Sequence, residues 1–217
     1  MSGLWSSSLS ADQYVAYVER IRKSVAEGWV YQVNACRRLT HTGEGQSLRG
    51  LFSEILKRNP APWASYFEIP GLMIASASPE LFLSRNGSTV KTSPIKGTQP
   101  ANSQAFGVKD QAENVMIVDL MRNDLGRICK SGTVEVPRLL SSEEHPGLQH
   151  LVSDVQGELL KDISWSEILT ALSPPGSVSG APKSSATQVI GANEIARGPY
   201  CGALGWIQGD VKAFNAM

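Results

Sequence analysis

Between Trp63 and Thr92 the sequence breaks into four short runs separated by three turn dipeptides, and that punctuation restricts the fold more than any other feature. The runs Trp63 to Ile69, Leu72 to Ser76, Leu81 to Ser84 and Ser88 to Thr92 are rich enough in β-branched and aromatic residues to be strands. Pro70-Gly71, Ser78-Pro79 and Asn86-Gly87 separate them. The last pair is a strong hairpin signal, because asparagine and glycine both tolerate the positive φ that a tight turn requires.

Helical patterns flank this block. Ser10 and Gln13 form a capping box ahead of Tyr14, Val15, Val18, Ile21 and Val25, whose spacing predicts an apolar stripe on a helix ending at Gly28. Trp29 to Leu39 reads as a strand, and Ser47 to Lys57 as a helix with Leu48, Leu51, Phe52 and Ile55 inward, stopped by Asn59-Pro60. A longer helix is expected from Asp110 to Leu125, burying Ala112, Val115, Met116 and Leu120 before Gly126. Thr133 to Val136 and Leu148 to Val155 read as strands, and Ser164 with Glu167 caps a helix through Leu172. Pro182 opens a last helix to Ile195, after which Tyr200 to Ile207 and Val211 to Ala216 pair across Gly209-Asp210. There is no repeat and no low-complexity linker, so residues 1–217 read as one mixed unit. The final strand runs to Met217 with no closing turn, so an open sheet edge and a truncated C-terminus are expected.

Twenty basic and twenty acidic residues cancel, which removes any global electrostatic reason to expect nucleic acid or an anionic membrane as partner. No apolar run approaches the length that spans a membrane, and the serine-rich start is not a signal peptide. Cys36, Cys129 and Cys201 are too few and too irregularly spaced for a disulfide framework or a zinc site, which points to reduced, cytoplasmic thiols.

Candidate chemistry begins at Lys96, set between Pro94 and Gly97-Thr98 just beyond the expected strand end. The flanking residues suggest a held amine; read without its neighbours, it fits a lysine reaching solvent better. Glu80 follows a turn and Glu113 pairs with Lys109 one helical turn away, so each alone fits a surface carboxylate. His150 lies in an apolar strand, equally a core residue or a proton carrier. From Gly176 to Lys183, glycines permit close backbone approach and Pro182 starts a helix with unpartnered amides, a pattern suited to an anion with contacts at Ser177, Gly180 and Ala181. The alternative is a glycine-rich loop that only makes the turn after Pro174-Pro175.

Seven blocks, in order and spacing, resemble the chorismate-utilising enzymes, most closely aminodeoxychorismate synthase component I and next anthranilate synthase component I. They are Tyr31 to Asn34, Ser78-Pro79-Glu80, Pro94 to Thr98, Ala112 to Asn123, Gln149 to Ser153, Gly176 to Lys183 and Arg197 to Gly202. The resemblance implies an α+β chorismate-binding fold, with orthogonally packed antiparallel sheets, outer helices and chorismate between the sheets. It implies Lys96 as the nucleophile that separates aminodeoxychorismate synthases from anthranilate synthases, which usually carry alanine there: an uncharged amine adds to the ring, helps expel the hydroxyl and is displaced after ammonia enters. It further implies Glu80 as general acid, His150 beside the substrate, and Gly97, Thr98, Ser177, Gly180, Ala181 and Tyr200 as substrate contacts. Mg2+ is implied with Glu113 as a ligand, as is a glutamine amidotransferase partner that supplies ammonia. Against the family pattern, the N-terminal half and a C-terminal segment bearing an arginine and the second metal carboxylate are absent, and Trp29 and Gln111 replace charged residues. Besides anthranilate synthesis, a non-catalytic remnant that binds chorismate or the partner is therefore a standing alternative.

Overall fold

A computed structural model describes residues 4–42, 47–208 and 211–216. In chain order its elements are β1 (Leu4–Ser7), α1 (Ala11–Ala26), β2 (Gln32–Val33), β3 (Leu39–Thr42), α2 (Arg49–Arg58), β4 (Trp63–Ile69), β5 (Leu72–Ser78), β6 (Leu81–Asn86), β7 (Thr89–Ser93) and β8 (Ile95–Pro100). There follow α3 (Val108–Gly126), β9 (Glu135–His145), β10 (Leu148–Glu158), α4 (Trp165–Leu172), α5 (Gly176–Ser179), β11 (Gly180–Ala181), α6 (Lys183–Asn193), β12 (Ala203–Gln208) and β13 (Val211–Ala216). The chain divides into two compact units, Met1–Ser47 with Val178–Cys201, and Leu48–Ser177 with Gly202–Met217. The α+β class is as expected, and every described strand pair is antiparallel.

In the first unit the Ser10 capping box forms reciprocally: Gln13 N donates to Ser10 Oγ and Ser10 N to Gln13 Oε1. The face of α1 differs from the stripe expected, since Tyr17 and Ile21 are buried while Val15 and Val25 are exposed. Tyr17 wins the inward position because its hydroxyl finds a partner there, Glu194 Oε1 at 2.9 Å. The strand expected over Trp29 to Leu39 shrinks to β2, which pairs with β11. Gly180 makes that pairing possible: its φ is +141°, and a Cβ would lie 2.1 Å from the Gln32 carbonyl oxygen.

In the second unit a seven-stranded sheet runs β12-β13-β6-β7-β10-β8, with β9 along the other side of β10. β4 and β5 form a separate hairpin. Phe82, Leu83, Val90, Val155 and Leu159 of the sheet region pack with Ile117, Val118, Met121 and Leu125 of α3 and with Ile168 and Leu172 of α4. Full burial of such a side chain contributes about 1.5–3 kcal/mol, so this cluster is the main source of cohesion in the unit. The face of α3 is only partly the expected one: Met116 and Leu120 pack against the core, but Ala112 and Val115 are exposed, and Asn114 and Asp124 go inside. β13 is paired on both sides, by β12 and β6, so the sheet edge is β12 and the last strand is not open as expected. The turn at Gly209-Asp210 lies outside the described residues.

Candidate active site

Lys96 is the second residue of β8, inside a strand and not beyond its end. The β8–β10 register passes from Thr98↔His150 to Ile95↔Val152, three steps on β8 against two on β10, so an extra residue bulges out at Lys96-Gly97. A bulge re-aims the side chain it carries. Here the amine is directed onto the Ser177 carbonyl oxygen, which it meets at 3.0 Å.

The same serine holds Glu80. Glu80 follows β5 in a turn fixed by Ser78, whose Oγ accepts from Glu80 N at 3.3 Å. Its carboxylate accepts from Ser177 Oγ at 2.5 Å through Oε1 and from Ile95 N at 3.4 Å through Oε2. The residue is half-buried with its carboxyl end turned inward, and that burial pushes the carboxyl above its ordinary range against the pull of the Ser177 hydroxyl, Lys96 and the Ile95 amide. Residues 80, 96 and 177, remote in sequence, thus form one hydrogen-bonded group in the second unit.

His150 sits opposite Thr98 on β10, with Nδ1 2.8 Å from Thr98 Oγ1. Burial and then the neighbouring His145 hold it below the usual imidazole range, with Glu143 opposing. At neutral pH it is therefore an uncharged imidazole, fit to exchange a proton.

Two residues absent from the expected site tie it down. Asn114 Nδ2 donates to Leu151 O at 2.9 Å and to Lys96 O at 3.4 Å, while its Oδ1 accepts from Ser153 Oγ at 2.6 Å. Ser153 N donates to Pro94 O at 3.2 Å. Both lie in blocks that resemble the family, Ala112 to Asn123 and Gln149 to Ser153, and the signal within each block is a polar residue in a largely apolar helix face or strand.

Gly97 is required by the bulge: its φ is +94°, and a Cβ would meet Asp110, Leu151 and Phe106 at 3.1 to 3.2 Å. Gly97→Ala is expected to cost about 1–3 kcal/mol, from a backbone conformation that L residues avoid plus the crowding. Urea unfolding reads this directly; an unchanged midpoint would remove the bulge from the argument.

Among the described residues Glu113 belongs to no group of three side chains that could hold a metal. It faces Lys109 at 3.7 Å across an exposed i,i+4 pair, and among the described residues no three His, Cys, Asp or Glu side chains are grouped to hold a metal. These residues by themselves do not make a metal site.

Gly180, Ala181 and Tyr200 belong to the first unit. The Ala181 carbonyl accepts from Tyr31 N at 2.7 Å, so it is spent on the β2–β11 pairing. Tyr200 is largely exposed as a residue, yet burial around its hydroxyl, followed by Cys201 and Cys36, raises it to about 12.

A family model described as chorismate binding enzyme matches residues 1–216. Aminodeoxychorismate synthase component 1 of Escherichia coli (strain K12) is 36% identical over 215 residues, 94% of this chain and 47% of that protein. Anthranilate synthase component 1 of Saccharolobus solfataricus is 35% identical over 225 residues, 98% of this chain and 53% of that protein. The crystal structure of anthranilate synthase component I from Streptococcus pneumoniae matches with a TM-score of 0.89 at 28% identity, over 100% of this chain and 50% of that one. The chain spans about half the length of the relatives it matches.

Proposed function

The chain belongs to the chorismate binding enzyme family, and from that premise we propose that it carries the catalytic residues of an aminodeoxychorismate synthase component I, adding ammonia to chorismate on the route to para-aminobenzoate and folate. The observation that carries this reading is a lysine, not an alanine, in the bulge of β8, its amine held at Ser177 beside an inward-turned carboxyl.

In this mechanism Ser177 positions both partners. The protonated Glu80 gives its proton to the departing ring hydroxyl, for which burial of the carboxyl is the preparation. The Lys96 amine forms a bond to the ring as the hydroxyl leaves, and ammonia displaces it. Thr98 orients His150 by the bond to Nδ1, and Nε2 is the nitrogen we assign to proton exchange with substrate. By the family resemblance, Gly97, Thr98, Ser177, Gly180, Ala181 and Tyr200 are the proposed chorismate contacts, and residues 1–217 the proposed chorismate-binding catalytic domain. Mg2+ would offset the substrate's carboxylate charge; Glu113 alone does not hold it, and no step above runs through it. A glutamine amidotransferase is the expected ammonia source. No described helix is long and apolar enough to cross a membrane, and the three cysteines are free, which fits the cytoplasmic setting we propose.

Supplying chorismate, magnesium and ammonium to the protein tests the reading. The expected product is 4-amino-4-deoxychorismate, identified by mass and by conversion to para-aminobenzoate with a lyase. Anthranilate as the main product would instead assign the second activity named among the relatives. Chorismate binding without turnover would make the chain a binding remnant.

A further inference from the structure

β9 brings to His150 two side chains that the proposed chemistry does not use. In the β9–β10 ladder Glu143 lies directly opposite His150, and His145 opposite Leu148. Alternate residues of a strand share a face, so Glu143 and His145 stand on the His150 side of the sheet. The approach is close: the rings of His145 and His150 are 4.9 Å apart between centroids and inclined at 56°. His145 Nε2 lies 3.8 Å from Glu143 Oε2, and the His145 side chain is only 19% exposed. Glu143 is itself held, since Arg138 Nη1 donates to its Oε1. Arg138 is fixed in turn by Asp154, which accepts from Nε and Nη2 at 3.0 Å each. A line of contacts thus runs from the buried Asp154 through Arg138, Glu143 and His145 to the imidazole whose Nδ1 meets Thr98 Oγ1.

We propose, on the proton-exchange role given to His150 above, that Glu143 and His145 are positioning residues, packed against its ring and deciding together when it carries a proton. Two imidazoles in ring contact cannot both gain charge without repelling each other, whereas a carboxylate across the ladder favours a cation. His150 feels both. Burial is the largest influence on it and holds it below the usual imidazole range; His145 adds to that, and Glu143 opposes it. The remaining charges on elements packed against β10 face other groups. Lys96 of β8 is turned to Ser177, and Lys91 of β7 faces Asp154 at 3.7 Å. On α3 Lys109 faces Glu113, Arg122 faces Asp119, Asp110 lies beside Gly97, and Asp124 is buried in the second half of the helix. On β9 Glu135 accepts from Gln156, and Glu144 is exposed on the opposite face.

NMR of the folded protein, following the His150 ring resonances across pH, reads this without any enzyme activity. His145→Phe keeps an aromatic ring but no charge, and the His150 titration midpoint is expected to rise. Glu143→Gln keeps the shape and leaves Arg138 on Asp154, and the midpoint is expected to fall. Glu144→Gln, on the other face of β9, is expected to leave it in place. Opposite shifts from two neighbouring side chains are not what loss of packing alone would produce. Either variant without a shift, both shifting the same way, or an equal shift in Glu144→Gln would overturn the proposal. With chorismate, magnesium and ammonium supplied, the acid limb of turnover in His145→Phe is expected to move to higher pH together with the midpoint, because the uncharged imidazole is then lost earlier as pH falls. Ring shifts without that movement would count against the role of His150 in turnover and not against its pairing with β9. Absence of turnover in the unsubstituted protein would count against the function proposed above and leave the NMR comparison standing.

Discussion

Glu80→Gln is expected to reduce turnover of chorismate by about 10²–10⁴-fold, the range associated with losing a positioned general acid. Glutamine keeps the shape: its oxygen can accept from Ile95 N while its amide NH2 donates to Ser177 Oγ, in place of the two bonds that hold the carboxylate, but it has no proton to give to a leaving hydroxyl. The raised carboxyl supplies two signatures that a merely structural role would lack. First, activity of the unsubstituted protein should fall as rising pH removes the Glu80 proton, and the variant's residual rate should not show that limb. Second, a carboxyl raised on folding contributes stability that is fully present below its unfolded value, near ~4.3, and lost as pH rises through the folded value. The amide carries no such cost, so melting of Glu80→Gln relative to the parent should improve from about pH 4 to neutrality. Lys96→Ala should also abolish amination, without that pH-dependent gain in relative stability. Turnover within about tenfold of the parent in Glu80→Gln would remove the acid role.

The parts of this fold that could be read from sequence are those whose causes are local. The capping boxes at Ser10 and Ser164 close over three residues and form as written. The Asn86-Gly87 turn carries its own positive φ, +58° at Gly87, and joins β6 to β7 as expected. What was misread depends on partners remote in sequence. The face of α3 is set by Asn114, whose amide must reach Leu151 and Ser153 on β10, and counting aliphatic residues along the helix does not reveal that. β9 continues through polar residues to His145 because β10 offers it a partner along its length, so a strand expected to stop at Val136 does not. The strand expected from Trp29 fails for the opposite reason, since only Gln32 and Val33 find a ladder partner, in Gly180 and Ala181. Lys96, Glu80 and Ser177 were individually ordinary residues; only their resemblance to a family pattern singled them out, and only the β8 bulge explains how the lysine reaches its neighbours.

Glu194→Ala is expected to destabilise the first unit by about 3–5 kcal/mol, the cost of leaving a buried ion pair with one partner. The Glu194 side chain is only 4% exposed and that of Arg197 only 14%, so water cannot replace what is removed. Glu194 Oε1 accepts from Tyr17 Oη, Cys36 N and Arg197 Nη2, each at 2.9 Å, and Oε2 accepts from Arg197 Nε at 2.7 Å. Burial alone would push the guanidinium down; the Glu194 carboxylate outweighs it and holds Arg197 above its ordinary range. Arg197 in turn donates to Val178 O at 3.0 Å and Asn34 O at 2.7 Å, so one charge pair joins α1, the segment after β2 and the approach to Tyr200. Truncation strands a cation, a hydroxyl and an amide together, which is why the loss should exceed that of an ordinary hydrogen bond. Since a domain's whole margin is about 5–15 kcal/mol, this variant should unfold at markedly lower urea concentration. Glu194→Gln, which keeps an oxygen for Tyr17 and Cys36 but not the charge for Arg197, should fall between. Equal midpoints for the alanine and glutamine variants would assign the loss to the charge alone, whereas a glutamine variant as stable as the parent would assign the stabilisation to packing and neutral hydrogen bonds and not to the pair. A loss below about 1 kcal/mol in Glu194→Ala would place this network among the weak surface pairs, despite its burial.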